Sequence, residues 1–64
     1  MKIYYEFGEV VYLKTDPDQH ERIVTGILIR ENSVMYELSY NEITSYHFDV
    51  EITRERNVIK ATSN

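Results

Sequence analysis

The sequence predicts an all-β domain of about five antiparallel strands, with one short helical turn before the last strand. Three observations carry this. The hydrophobic period is two, not 3.6, most clearly along Tyr46-His47-Phe48-Asp49-Val50-Glu51-Ile52, and that alternation marks a strand with one dry and one wet face. Strand-length segments rich in β-branched and aromatic residues recur along the chain, and such residues suit a pleated surface. Short polar links separate them, as in hairpins. The 64 residues make a single domain, 1–64, with 1–7 as an N-terminal segment and 61–64 as a frayed tail. A chain of this size buries only about 60 % of its unfolded surface. It has no cysteine, so no disulfide or thiolate metal site stabilises it.

The first strand is Glu9-Val10-Val11-Tyr12-Leu13-Lys14, after the turn residue Gly8, with Val11 and Leu13 inward and Tyr12 outward. A polar loop, Thr15 to Glu21, holds the one proline, Pro17. The second strand runs from Arg22 to Arg30 and sets Ile23, Thr25, Ile27 and Ile29 against Val24, Gly26 and Leu28. Gly26 in mid-strand signals a bend, a bulge or a close backbone approach. Glu31-Asn32-Ser33 is a tight link, so a hairpin leads into Val34–Tyr40. There Val34, Tyr36, Leu38 and Tyr40 share one face, and Met35, Glu37 and Ser39 the other. Asn41 to Thr44 is a second hairpin link. The fourth strand, Tyr46–Ile52, is expected to bury Tyr46, Phe48, Val50 and Ile52 and to wet His47, Asp49 and Glu51. Thr53-Arg54-Glu55-Arg56 reads as the helical turn, capped by Thr53, and Asn57-Val58-Ile59-Lys60 as the last strand. A small barrel or two-layer open sheet is the natural solution, because closure removes exposed edges.

In this layout the chain resembles SH3-like small barrels of the KOW and Tudor type. The matching piece is Phe7-Gly8-Glu9-Val10-Val11-Tyr12-Leu13, similar to their opening strand. The loop at Thr15 to Glu21 stands where such barrels carry their first long loop, and Thr53 to Arg56 where they carry a short helical turn. A pattern similar to Lys14-Thr15-Asp16-Pro17-Asp18-Gln19, Arg22-Ile23-Val24-Thr25-Gly26, Tyr36-Glu37-Leu38 and His47-Phe48-Asp49-Val50-Glu51-Ile52 occurs in uncharacterised small proteins of bacteria and their phages or prophages. That likeness implies a bacterial or phage origin and an SH3-like barrel, and implies no catalytic residue. The chain departs from nucleic-acid-binding KOW domains in being acidic, and from methyl-ligand Tudor domains in placing its aromatics on strands.

Seven Lys and Arg stand against eleven Asp and Glu, a net charge of −4. Phosphate neutralisation supplies most nucleic-acid affinity, so this balance disfavours DNA, RNA and anionic membranes as partners. No apolar run approaches the roughly 18 residues of a membrane span. The start carries no apolar core of a secretory signal, and a cytoplasmic location is expected. Six tyrosines could offer ring faces to a cation or a base. Tyr36 and Tyr46 alternate with Leu38 and Phe48 and read as core, so Tyr4, Tyr5, Tyr12 and Tyr40 form the candidate interaction surface. Tyr4, Tyr5 and Phe7 could equally cover an open end of the barrel.

His20 and His47, with Asp16, Asp18 or Asp49, show no metal-ligand spacing, and the acidic loop of Asp16, Asp18 and Glu21 reads as a solvated turn bonding its own backbone. Ser45 and His47 share a strand face but have no third group in the sequence to orient them, and so small a domain is expected to lack a typical pocket. No cofactor, metal or catalytic residue is therefore expected. The leading expectation is a non-enzymatic protein-interaction or assembly module, with a protein partner or a homo-oligomer, because the apolar supply exceeds one small core. The alternative is a KOW-like nucleic-acid-binding barrel, with Arg22, Arg30, Arg54 and Arg56 as phosphate contacts.

Overall fold

The computed structural model describes residues 2–56. It is all-β: β1 (Val10–Leu13), β2 (Arg22–Arg30), β3 (Ser33–Tyr40), β4 (Ile43–Phe48) and β5 (Ile52–Thr53) form one antiparallel sheet in the order β4-β3-β2-β1-β5. A 3-10 turn, Asp49–Glu51, links β4 to β5. The turn thus precedes the last strand, as expected, but lies at 49–51 rather than at 53–56, and the last described strand is 52–53. The expected strand at 57–60 falls outside the described residues.

The first elements follow the sequence closely. Gly8 adopts φ +87°, the left-handed turn conformation that glycine takes without a Cβ penalty. Its N–H donates to Val24 O at 2.8 Å, and Val24 N–H donates to Glu9 O at 3.0 Å. β1 then buries Val11 and Leu13, as the alternation predicts. In β2 the register slips between Val24, opposite Leu38, and Gly26, opposite Glu37. Thr25 is the extra residue, and this bulge brings Val24, Ile27 and Ile29 opposite Leu38, Tyr36 and Val34. Gly26 has a second reason: the Glu37 side chain lies over it, and a Cβ there would meet Glu37 Cβ at 3.0 Å. The bulge matches the reading of Gly26 from sequence, while the close neighbour is the Glu37 side chain rather than another backbone.

The core is Tyr5, Val11, Leu13, Val24, Tyr36, Leu38 and Ile52, with Ile27 and Val34 packed against it. Tyr5 meets Tyr36 edge to face, ring centroids 5.2 Å apart, an arrangement the ring quadrupoles favour. The Tyr5 hydroxyl donates to Ile52 O at 3.0 Å, and Tyr36 Oη accepts from Tyr4 N–H at 2.8 Å. The N-terminal segment is thereby laid against the sheet by its second aromatic.

β4 overturns an expectation. Tyr46 is 52 % and Phe48 42 % exposed, and Val50 is 70 % exposed in the 3-10 turn; of the four residues assigned inward, only Ile52 is buried. The reason is register. A two-residue loop, Asn41-Glu42, with Asn41 at φ +54°, places Ile43 opposite Tyr40, Ser45 opposite Leu38 and His47 opposite Tyr36. Opposed residues share a sheet face. Since Tyr36 and Leu38 point inward, Ser45 and His47 do too, and Tyr46 and Phe48 face out beside Glu37 and Met35.

Candidate functional site

Two surfaces concentrate chemistry: the β4 edge with its 3-10 turn, and the loop between β1 and β2. At the first, Ser45 Oγ lies 2.6 Å from His47 Nε2, and His47 Nδ1 lies 3.1 Å from Glu51 Oε1. Glu51 Oε1 also accepts Phe48 N–H at 3.2 Å. An ionised carboxylate can only accept, so beside ionised Glu51 the Nδ1 atom carries a proton, and in the neutral imidazole Nε2 is then the acceptor for the Ser45 O–H. The imidazole is mostly covered, at 19 % side-chain exposure, against 38 % for Glu51. Sequence reasoning placed Ser45 beside His47 but found no third group. Glu51 is that group, and the 3-10 turn supplies it by folding back; an extended strand would carry position 51 about 13 Å beyond position 47.

Beside this cluster an open groove of about 460 Å³ runs between Lys2, Tyr4, Ser33, Tyr36, Phe48 and Asp49. The expectation that so small a domain lacks such a space is thus corrected: the N-terminal segment, rather than the sheet alone, builds one wall.

On the outer face Glu37 is the hub. Its Oε1 accepts from Thr25 Oγ1 at 2.8 Å and its Oε2 from Tyr46 Oη at 3.1 Å. That bond to Glu37 pushes the Tyr46 hydroxyl above its ordinary titration range. Leu28, Met35 and Phe48 form an apolar row across three strands, by the pairings Leu28 with Met35 and Met35 with Phe48.

Comparison with protein-family models, curated proteins and solved structures returned no match. The site is therefore read from its own geometry.

The four candidate tyrosines do not converge. Tyr4 is half-exposed at the groove, and Tyr5 is buried, 8 % exposed, in the core. Burial raises the Tyr5 hydroxyl above its usual range, against the lowering effect of Arg54. Tyr12 is partly buried on β1, opposite Thr53. Tyr40 stacks on His20, centroids 4.2 Å apart, with the Arg22 guanidinium 5.7 Å from its ring centre.

The arginines are divided as well. Arg22 pairs with Asp16 at 3.1 Å. Arg54 binds Glu9 with Nε at 3.1 Å and Nη2 at 3.2 Å, donates to Tyr4 O, and covers the Tyr5 ring with Cζ 4.5 Å from its centre. The Arg54 bond holds the Glu9 carboxyl below its ordinary value, and Glu9 raises Arg54 in return. Arg30 ends β2 and Arg56 follows β5, both exposed. Two of the four candidate phosphate contacts thus already serve carboxylates and hold the fold.

The loop brings Asp16, Asp18 and His20 together, with ligand atoms within 4.8 Å of one another, a convergence that spacing alone did not show. Asp16 Oδ1 accepts Asp18 N–H at 3.0 Å, while Oδ2 accepts His20 N–H and Arg22 Nη2 at 3.1 Å each. Asp18 and His20 lie 3.7 Å apart. Three N–H donors already engage Asp16, so its chemistry is that of a backbone cap. The loop does bond its own backbone, as expected, but the Asp16 side chain is 11 % exposed rather than solvated.

Proposed function

We propose that this chain is an interaction and assembly module whose first partner is a second copy of itself, joined through the free edge of β4. One observation carries the reading. β4 is six residues long, lies at the end of the sheet among the described residues, and contains no Lys, Arg, Asp, Glu or Pro. Natural sheets blunt their edges with charge, proline, bulges or brevity. The opposite edge follows that rule, since β5 has only two residues. β4 does not. In a hairpin closed by two residues the backbone groups of Ile43, Ser45 and His47 face β3, so those of Thr44 and Tyr46 face outward. Two such edges, antiparallel about a twofold axis, would satisfy each other, and the row Leu28–Met35–Phe48 would meet its own copy alongside. The strand order, the long first loop and the 3-10 link also support an SH3-like barrel layout. No helix among the described residues is long and apolar enough to cross a membrane, and the lack of cysteine is in keeping with a cytoplasmic setting.

Light scattering from low micromolar to near-millimolar concentration tests this. The expected result is a shift from one chain mass to two, abolished by Thr44→Lys. That change sets two ammonium groups across the joined edges and leaves the core untouched. A constant monomer mass overturns the proposal, as does unchanged dimerisation of the Thr44→Lys protein.

A further inference from the structure

We infer that Ser45, His47 and Glu51 form a nucleophilic site, with Ser45 the group that takes an acyl unit from activated esters. The atoms are disposed as the chemistry needs. A serine hydroxyl is a weak nucleophile until a base accepts its proton, and that base works only if its other nitrogen is fixed. Here Nε2 faces Ser45 Oγ at 2.6 Å, and Nδ1 is fixed by the Glu51 carboxylate at 3.1 Å. Glu51 is itself anchored by Phe48 N–H. A strand and its following turn therefore hold all three groups, within seven residues.

Register gives this arrangement its weight. Ser45 and His47 sit opposite Leu38 and Tyr36, on the core-facing side of an edge strand. A sheet of this size would ordinarily place apolar residues there. Instead Tyr46 and Phe48 are turned outward and a polar relay takes the sheltered side. The ring is largely withdrawn from water, and partial desolvation strengthens the attraction of Glu51 for an imidazolium.

The reaction balances without a cofactor. Ser45 Oγ attacks the ester carbonyl carbon and its proton passes to His47 Nε2. The tetrahedral adduct collapses with cleavage of the bond between the carbonyl carbon and the alkoxy oxygen. His47 returns the proton to the departing alcohol, leaving acyl-Ser45. Water, deprotonated by the same nitrogen, then adds to the acyl carbon; the bond from that carbon to Ser45 Oγ breaks, His47 returns the proton to Oγ, and the acid leaves. Activated esters are the substrate class because their carbonyl needs the least electrophilic help. Glu51 is a positioning residue, acting through His47.

The test is acetylation of the full chain by p-nitrophenyl acetate, with the acetyl group located by peptide mass spectrometry. Ser45 is expected to be acetylated at least about 100-fold faster than in His47→Gln, the scale of a lost general base. Glu51→Gln can offer an N–H to Nδ1, so it should slow the reaction and admit the Nε2–H tautomer, read from imidazole 15N shifts. Backbone amide spectra establish that each variant is folded. The inference is overturned if Ser45 takes no acetyl group, or takes it equally fast in folded His47→Gln. Should His47→Gln fail to fold, an Nε2–H tautomer in the wild-type protein overturns it equally.

Discussion

Tyr36→Ala should cost about 3–5 kcal/mol, the usual loss for truncating a large buried aromatic. A domain of this length has a total stability of only about 3–10 kcal/mol at ordinary values per residue, so the variant should be largely unfolded at 37 °C. Tyr36 is fully buried, edge-on to Tyr5, and its hydroxyl holds Tyr4 N–H. Tyr36→Phe, which removes only that hydrogen bond, should lose about 1 kcal/mol. Phe48→Ala is the informative contrast. The alternation alone placed Phe48 in the core, where its loss would also cost 3–5 kcal/mol. With 42 % of it exposed, the expected cost is under about 1.5 kcal/mol. Urea unfolding of the three variants decides the face of β4: equal losses for Tyr36→Ala and Phe48→Ala would mean the register is wrong.

Asp16→Ala should lose about 1–3 kcal/mol, because it strips the acceptors from three N–H donors at a mostly covered site. The same carboxylate makes the protein acid-labile, and the sign can be worked out. Burial acts to raise the Asp16 carboxyl above its usual 3.8, but the bonds from His20 N–H, Arg22 and Asp18 N–H together outweigh it and hold it lower. A group depressed in the folded state contributes its stability above the unfolded value and loses it as pH falls through the folded value. Glu9, held low by Arg54, acts in the same direction. Stability should therefore be flat from neutral pH down to about 4–5, then fall. Asp16→Ala should start lower and fall less. A wild-type profile that rises below pH 4, or an Asp16→Ala profile parallel to it, would contradict this account.

Much of the architecture was legible in local chemistry. The bounds of β2, the inward set Val11, Leu13, Tyr36 and Leu38, and the irregularity at Gly26 all follow from period, β-branching and glycine placement. So do the two hairpins. The Asp16 cap was legible in kind, because aspartate next to proline bonds nearby N–H groups. The relay was half legible. Ser45 and His47 share a face by parity, and a chain of pairings from Leu38 and Tyr36 through an even loop would have turned that face inward. Glu51 was not legible, since nothing in Tyr46–Ile52 announces that the strand stops at Phe48.

That last point separates what is local from what is global. Alternation is a statement about neighbours along one strand: it requires that 46 and 48 take the face opposite to 45 and 47, and it holds whichever set is inside. The inside is chosen by pairing across strands, where a two-residue loop locks Ser45 to Leu38 and His47 to Tyr36. Slipping that register by one residue would bury Tyr46 and Phe48, and would also expel the polar pair. The sequence by itself thus determined the first three strands, their links and the inward residues Val11, Leu13, Tyr36 and Leu38. Only the tertiary structure decided which face of β4 is dry, and brought Glu51 to His47, because both depend on contacts between segments whose separation no local period records.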